Sequence, residues 1–128
     1  MSTLNQELVG ALTAQLNEFE TLLEQMKHDG QREYVSDLIG RLAQSDETAL
    51  SDLAGKNFFG GMGSFVDFLP DRDPKVDKKS HPDIGLRYIN CLRELFEILI
   101  SHGIAVFWEE RNRKYFKIPS VRFPDKTS

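Results

Sequence analysis

Cysteine is almost missing from this chain: Cys91 is the one thiol in 128 residues. No internal disulfide can form, and no cysteine pair exists from which to build a structural zinc site. Histidine is nearly as scarce. His28, His81 and His102 are the only three, and no two stand at the spacing that presents a pair of ligands on one helix face. Neither a metal nor any other cofactor is therefore expected. Long apolar runs are lacking as well, so nothing approaches the roughly 20 residues that a bilayer-crossing helix requires. Met1 to Gly10 has neither the basic start nor the continuous apolar stretch of a cleaved leader, which makes the cytoplasm the expected compartment. Phosphate-binding signatures are missing too. The glycines near position 60 lack the spacing and the lysine of a P-loop, and they lack the pattern that opens a dinucleotide-binding unit. Ser64, although preceded by Gly63, is not set in the small-residue elbow of a hydrolase. Catalysis is not expected.

What is present is the composition of a folded domain, with 40% hydrophobic and 28% charged residues. The length suits one hydrophobic core and is too short for two ordinary domains. A single domain is expected over residues 1–120, followed by a loose tail at 121–128. The net charge of -4 conceals an asymmetry. Residues 1–55 carry ten acids against Lys27, Arg32 and Arg41, whereas residues 56–128 carry thirteen bases against ten acids. The first part can attract a basic protein. The second, through Arg111, Arg113, Lys114, Lys117, Arg122 and Lys126, can attract an acidic protein or a nucleic acid.

Hydrophobic spacing predicts a mainly α fold, a compact helical bundle. Leu8, Leu12, Leu16, Phe19, Leu23 and Met26 recur at intervals of three and four behind a Thr3/Gln6 capping box, and Asp29-Gly30 reads as the break after this helix. A second helix is expected from about Gln31 to Gln44, with Val35, Leu38, Ile39 and Leu42 inward. The connection is short, so the two helices should lie antiparallel. Ser45-Asp46 offers caps for a third helix burying Ala49, Leu50 and Leu53 and ending at Gly55. From Ser80 or His81 to Gly103, a central helix should bury Leu86, Ile89, Leu92, Leu95, Phe96, Leu99 and Ile100. Beyond Gly103 the period shortens. Ile104, Val106 and Trp108 alternate with Ala105 and Phe107, which fits a β-hairpin turning at Arg111-Asn112-Arg113, with a further helix as the competing reading.

Residues 57–69 concentrate the unusual chemistry, with Gly60, Gly61 and Gly63 set among Phe58, Phe59, Met62, Phe65 and Phe68. Three glycines so close together sacrifice entropy on ordering, so they mark a turn that lets these side chains reach the core. Ser64 is placed to cap a short helix carrying Phe65, Phe68 and Leu69, with Asp67 in its first turn. Pro70 to Pro82 reads as an exposed charged loop. Trp108, Tyr115 and Phe116 stand among arginines and lysines and could form a stacking platform for single strands, although they can equally close the hairpin over the core. With an acidic chain and no recognised module, nucleic acid is not the expected partner.

The segment Asn57 to Asp67, following two antiparallel helices and preceding a long apolar one, resembles a family of small, uncharacterised bacterial domains marked by Gly-Gly-Met-Gly-Ser and a nearby Asp. Gly60, Gly61, Met62, Gly63, Ser64 and Asp67 carry the likeness, which would extend over most of residues 1–102. It implies a bacterial helical domain and no particular chemistry. Small, acidic, helical chains of this size also resemble bacterial immunity proteins, which occlude a toxic partner. That likeness implies a protein-binding domain in which Glu7, Glu18, Glu20, Glu24, Glu33 and Asp37 receive a basic toxin. An adaptor or structural protein with an unrelated target is the alternative.

Overall fold

The computed structural model of the chain describes residues 5–60, 64, 65 and 84–117. Six helical segments occur among them: α1 (Gln6–Gln25), α2 (Asp29–Ala43), α3 (Glu47–Leu53), the single turn α4 (Lys56–Phe59), α5 (Ile84–Ser101) and α6 (Glu109–Phe116). The mainly α bundle is as expected. α1 is the central staff, packing against both α2 and α5, while α2 leads to α3 and α3 to α4.

The helix ends differ from the expected ones. Asn5 caps α1, its Oδ1 accepting from the Leu8 N–H at 2.8 Å; Thr3 lies outside the described residues. Asp29 and Gly30 do not break the chain but form the first turn of α2. The reversal falls earlier, at Lys27, which adopts φ 61° while the Lys27 N–H donates to Glu24 O and the His28 N–H to Leu23 O. The same paired bonds close α2, with Ser45 at φ 60°, and α5, with Gly103 at φ 77°. Only the last of these three left-handed caps uses the residue that suits it.

A prediction follows from the mismatch. A side chain in the left-handed region costs about 1–2 kcal/mol. Lys27→Gly and Ser45→Gly should each raise stability by about 1 kcal/mol, whereas Gly103→Ala should lower it by a similar amount. Urea titration of the three variants reads the sign directly. Equal midpoints for all three would mean that the left-handed caps cost nothing.

The core is aromatic at its centre. Phe19 of α1 meets Phe58, Phe65 and Tyr88 at ring-centroid distances of 6.1, 5.0 and 5.0 Å. Phe59 continues the cluster to Phe96 at 5.7 Å, and Phe96 to Phe116 at 5.6 Å. The Tyr88 hydroxyl is buried and donates to the Phe65 carbonyl at 2.8 Å, so α5 is tied to the segment that follows α4.

Two expectations require correction. Leu86 was expected inward, yet it is 72% exposed. It stands two positions from both Ile84 and Tyr88, the buried residues of the first turns of α5, and therefore about 200° round the helix from either. The terminal hairpin is absent as well: residues 109–116, including the expected turn at 111–113, form α6. Two lone strands would leave both edges unpaired. A helix satisfies its own backbone, and this one is favoured by Glu109 and Glu110 in its first turn, Arg113 and Lys114 in its last, and an Arg113 to Glu109 ion pair at 2.8 Å. The alternation seen at 104–106 does appear in burial, with Ile104 half-buried, Ala105 exposed and Val106 buried, but without a strand partner among the described residues. Gly61, Met62, Gly63 and Asp67, the short helix expected at 65–69, the 70–82 loop and the 121–128 tail lie outside the described residues.

Candidate functional site

The expected acidic site is spread around the bundle. Helical spacing puts Glu7 and Glu18 on one flank of the α1 apolar stripe and Glu20 and Glu24 on the other. Glu18 accepts from Arg87 of α5 at 3.0 Å, and Glu20 lies 3.9 Å from Arg32 of α2. Asp37 is 3.3 Å from Arg41, which also holds Asp46 at 3.3 Å and Asp52 at 3.0 Å. These bonds, led by that to Asp52, raise the Arg41 pKa. Asp46 lies below the usual carboxylate range because the Thr48 hydroxyl and N–H donate to it. Three of the six acids thus serve arginines of the same chain. Glu7, Glu24 and Glu33 are exposed and have no ion-pair partner among the described residues.

Ser64 and Cys91 are both enclosed. Ser64 is buried and its hydroxyl donates to the Gly60 carbonyl at 2.8 Å, closing the turn as a structural bond. Cys91 is 3% exposed, and burial, reinforced by the Glu18 charge, pushes its thiol up to about 12. A thiol that keeps its proton when folded, and loses it near pH 8.5 when unfolded, contributes stability below that pH that disappears as pH rises toward 12. The native protein at pH 8 should therefore react with a disulfide reagent only at its unfolding rate. Rapid, stoichiometric labelling of folded protein would contradict this burial. No group of three or more His, Cys, Asp or Glu residues able to hold a metal ion occurs among the described residues. Nor is any described helix long and apolar enough to cross a membrane.

A different site assembles around α6. The non-helical run after Gly103 is anchored where the Phe107 N–H donates to Ala54 O at 2.8 Å. The chain then enters α6 through Trp108 in the left-handed conformation, with φ 51° and ψ 49°. A bulky residue there is a conformational outlier. Asn112 holds it in place: fully enclosed, its Nδ2 donates to Phe59 O, Phe107 O and Trp108 O at 3.0, 3.0 and 3.1 Å. The strained corner leaves large aromatics in solvent. Trp108 is 49% exposed and Phe107 38%, and Tyr115, about two turns further along α6 and packed on Phe116, is 43% exposed.

The Phe107 and Trp108 rings lie 5.0 Å apart, and the Arg111 guanidinium sits over the Trp108 ring at 4.7 Å. Lys114 on the same short helix and Lys117 just past its end are exposed, whereas Arg113 is buried and paired with Glu109. Arg122 and Lys126 lie outside the described residues. Beside this corner runs a groove of about 550 Å³ between α3 and residues 103–107, with Leu50, Ala54, Val106 and Phe107 among its walls.

The mixture of aromatics and bases was visible in the sequence. What hid the site was the hairpin reading, which turned those rings inward. No protein-family model matches the chain, and no curated protein or solved structure is significantly similar to it.

Proposed function

We propose that this chain is a protein-binding domain without catalysis, and that the aromatic corner at Phe107, Trp108, Arg111 and Tyr115 is its principal contact surface. The observation that carries the reading is Trp108: an exposed ring on a left-handed residue, held by a buried asparagine. Such strain persists only where surrounding structure enforces it, and it concentrates at working surfaces. Tryptophan, tyrosine and arginine are also the residues that dominate interface energetics. The enclosed Ser64 and the protonated Cys91 argue against nucleophilic catalysis. Action as an adaptor is the form this corner favours.

An immunity protein that occludes a basic toxin is the second reading, supported by Glu7, Glu24 and Glu33, which are exposed and lack ion-pair partners among the described residues. Its cytoplasmic setting, and membership of the bacterial family with the Gly-Gly-Met-Gly-Ser motif, belong to the same proposal. A photo-crosslinking residue placed at 115 or at 33 in living cells separates the two. A discrete protein adduct from position 115 is expected. Adducts from position 33 alone would move the contact to the acidic face, and adducts from neither would defeat the protein-binding reading.

A further inference from the structure

The groove beside the aromatic corner has unsatisfied backbone as well as apolar walls. Between the bonds at Ile104 and Phe107, the N–H groups of Ala105 and Val106 have no acceptor among the described residues. Residues 104–106 are non-helical, with Ile104 half-buried, Ala105 exposed and Val106 buried. Were a second segment to lie along this run as an added strand, one of the two free N–H groups would face it, since successive N–H groups of an extended chain point to opposite sides, and its alternate side chains would enter the neighbouring pockets. Here the apolar walls from Leu50, Ala54 and Val106 suit small aliphatic side chains.

Charge selects the occupant. The Arg111 guanidinium carbon sits 4.7 Å over the Trp108 ring, and its N–H donors can meet a planar carboxylate. Lys114 and Lys117 add two exposed cations, and none of the three is ion-paired among the described residues. Glu110 is the one exposed acid of α6. The one charged residue that lines the groove itself is the acid Glu47, so the bases stand beyond its rim, past Phe107 and Trp108.

We infer that the groove binds an extended, acidic peptide segment of a partner protein, which pairs with residues 104–106 and places a carboxylate on Arg111. This rests on the protein-binding reading above and adds the class of partner. Specificity comes from the alternation of the two elements: aliphatic side chains enter the groove, and acidic ones meet α6.

The test uses the full chain and three dye-labelled pools of short peptides with aliphatic residues at alternate positions. The remaining positions are Asp or Glu in one pool, Lys or Arg in the second, and Ser or Gln in the third. Oligothymidylate serves as a fourth probe. The acidic pool should bind most tightly, weaken as salt rises, and lose about tenfold or more with Arg111→Glu. Trp108→Gly removes the ring while suiting the left-handed turn, so it should lose a comparable factor without lowering the melting temperature.

Equal binding of all three pools, or indifference of the acidic pool to Arg111→Glu, would overturn the acidic class and leave the protein-binding reading intact. Failure of every pool, alongside crosslinks from position 115, would overturn the extended-peptide inference alone; failure of both would remove the reading beneath it. Tight oligothymidylate binding abolished by both variants would assign the corner to single strands instead. A dimer dissociated by Arg111→Glu would assign it to a second copy of the chain, and either result overturns the inference.

Discussion

Asn112→Ala should lower the melting temperature by about 10 °C and release α6 from the bundle. One amide supplies donors to three carbonyls, from Phe59 at the end of α4, from Phe107 and from Trp108. Its removal takes this donor from Phe59 O and Phe107 O, while Trp108 O keeps the Asn112 backbone N–H at 3.0 Å, at about 1–3 kcal/mol for the first acceptor and less for one that reaches water. A total near 2–3 kcal/mol is a large part of the stability of a domain this size, which is about 5–15 kcal/mol. At about 4 °C for each kcal/mol, the shift in melting temperature follows. An eight-residue helix cannot persist alone, so weakening its attachment also exposes Phe116 and loosens the corner. Trp108 is the single tryptophan, and its emission reports the corner without labelling. Asn112→Asp should be worse than Asn112→Ala, because it sets a carboxylate against three carbonyl oxygens. A native-like melting temperature and unaltered emission in Asn112→Ala would show that the amide is not what holds this end of the molecule.

Gly60→Ala carries the second large effect, and its sign is opposite to that of a similar change nearby. A methyl group at Gly60 would lie 2.6 Å from Lys56 O, 2.8 Å from Lys56 Cβ and 2.9 Å from Lys56 Cα. Two of these are backbone atoms and cannot swing aside, so α4 must move. With it move Phe58 and Phe59, the Ser64 hydroxyl bond to Gly60 O, and the Phe65 N–H bond to Asn57 O. Overpacking of this kind costs about 1–3 kcal/mol. At Gly40, inside α2, an added methyl meets nothing within 4 Å. Gly40→Ala should therefore stabilise by up to about 1 kcal/mol, because it removes freedom from the unfolded chain and restores helix propensity. Denaturant midpoints should move in opposite directions for the two variants. If both rise, the close approach at Gly60 is not a constraint.

These residues show where sequence reasoning was sufficient. Leu8, Leu12, Leu16, Phe19 and Leu23 are all buried, because four-and-three spacing is enough to define the inner stripe of a helix that packs on both sides. Phe58, Phe59 and Phe65 lie in the core as the glycine-rich segment suggested. Leu86 is apolar yet exposed because its angle on the helix decides its burial: Ile84, Tyr88, Cys91, Leu92, Leu95 and Leu99 define a face that excludes it. The acids of α1 were grouped by charge although helical geometry separates them, and distant arginines claimed Glu18 and Glu20.

By itself, the pattern of apolar residues determined the helical class, the first three helices and most of their inner faces, since helix periodicity and capping are local properties. Only the tertiary structure decided the course of residues 104–117. There the local pattern suits strand and helix about equally, and the choice falls to long-range partners: Ala54 O for the Phe107 amide, Phe59 O for Asn112 and the Phe96 ring for Phe116. Those contacts join residues far apart in the chain, 53 positions for Phe59 and Asn112, and leave no period in it. They also hold Trp108 in the left-handed conformation, and with it the placement of the exposed aromatic corner on the bundle.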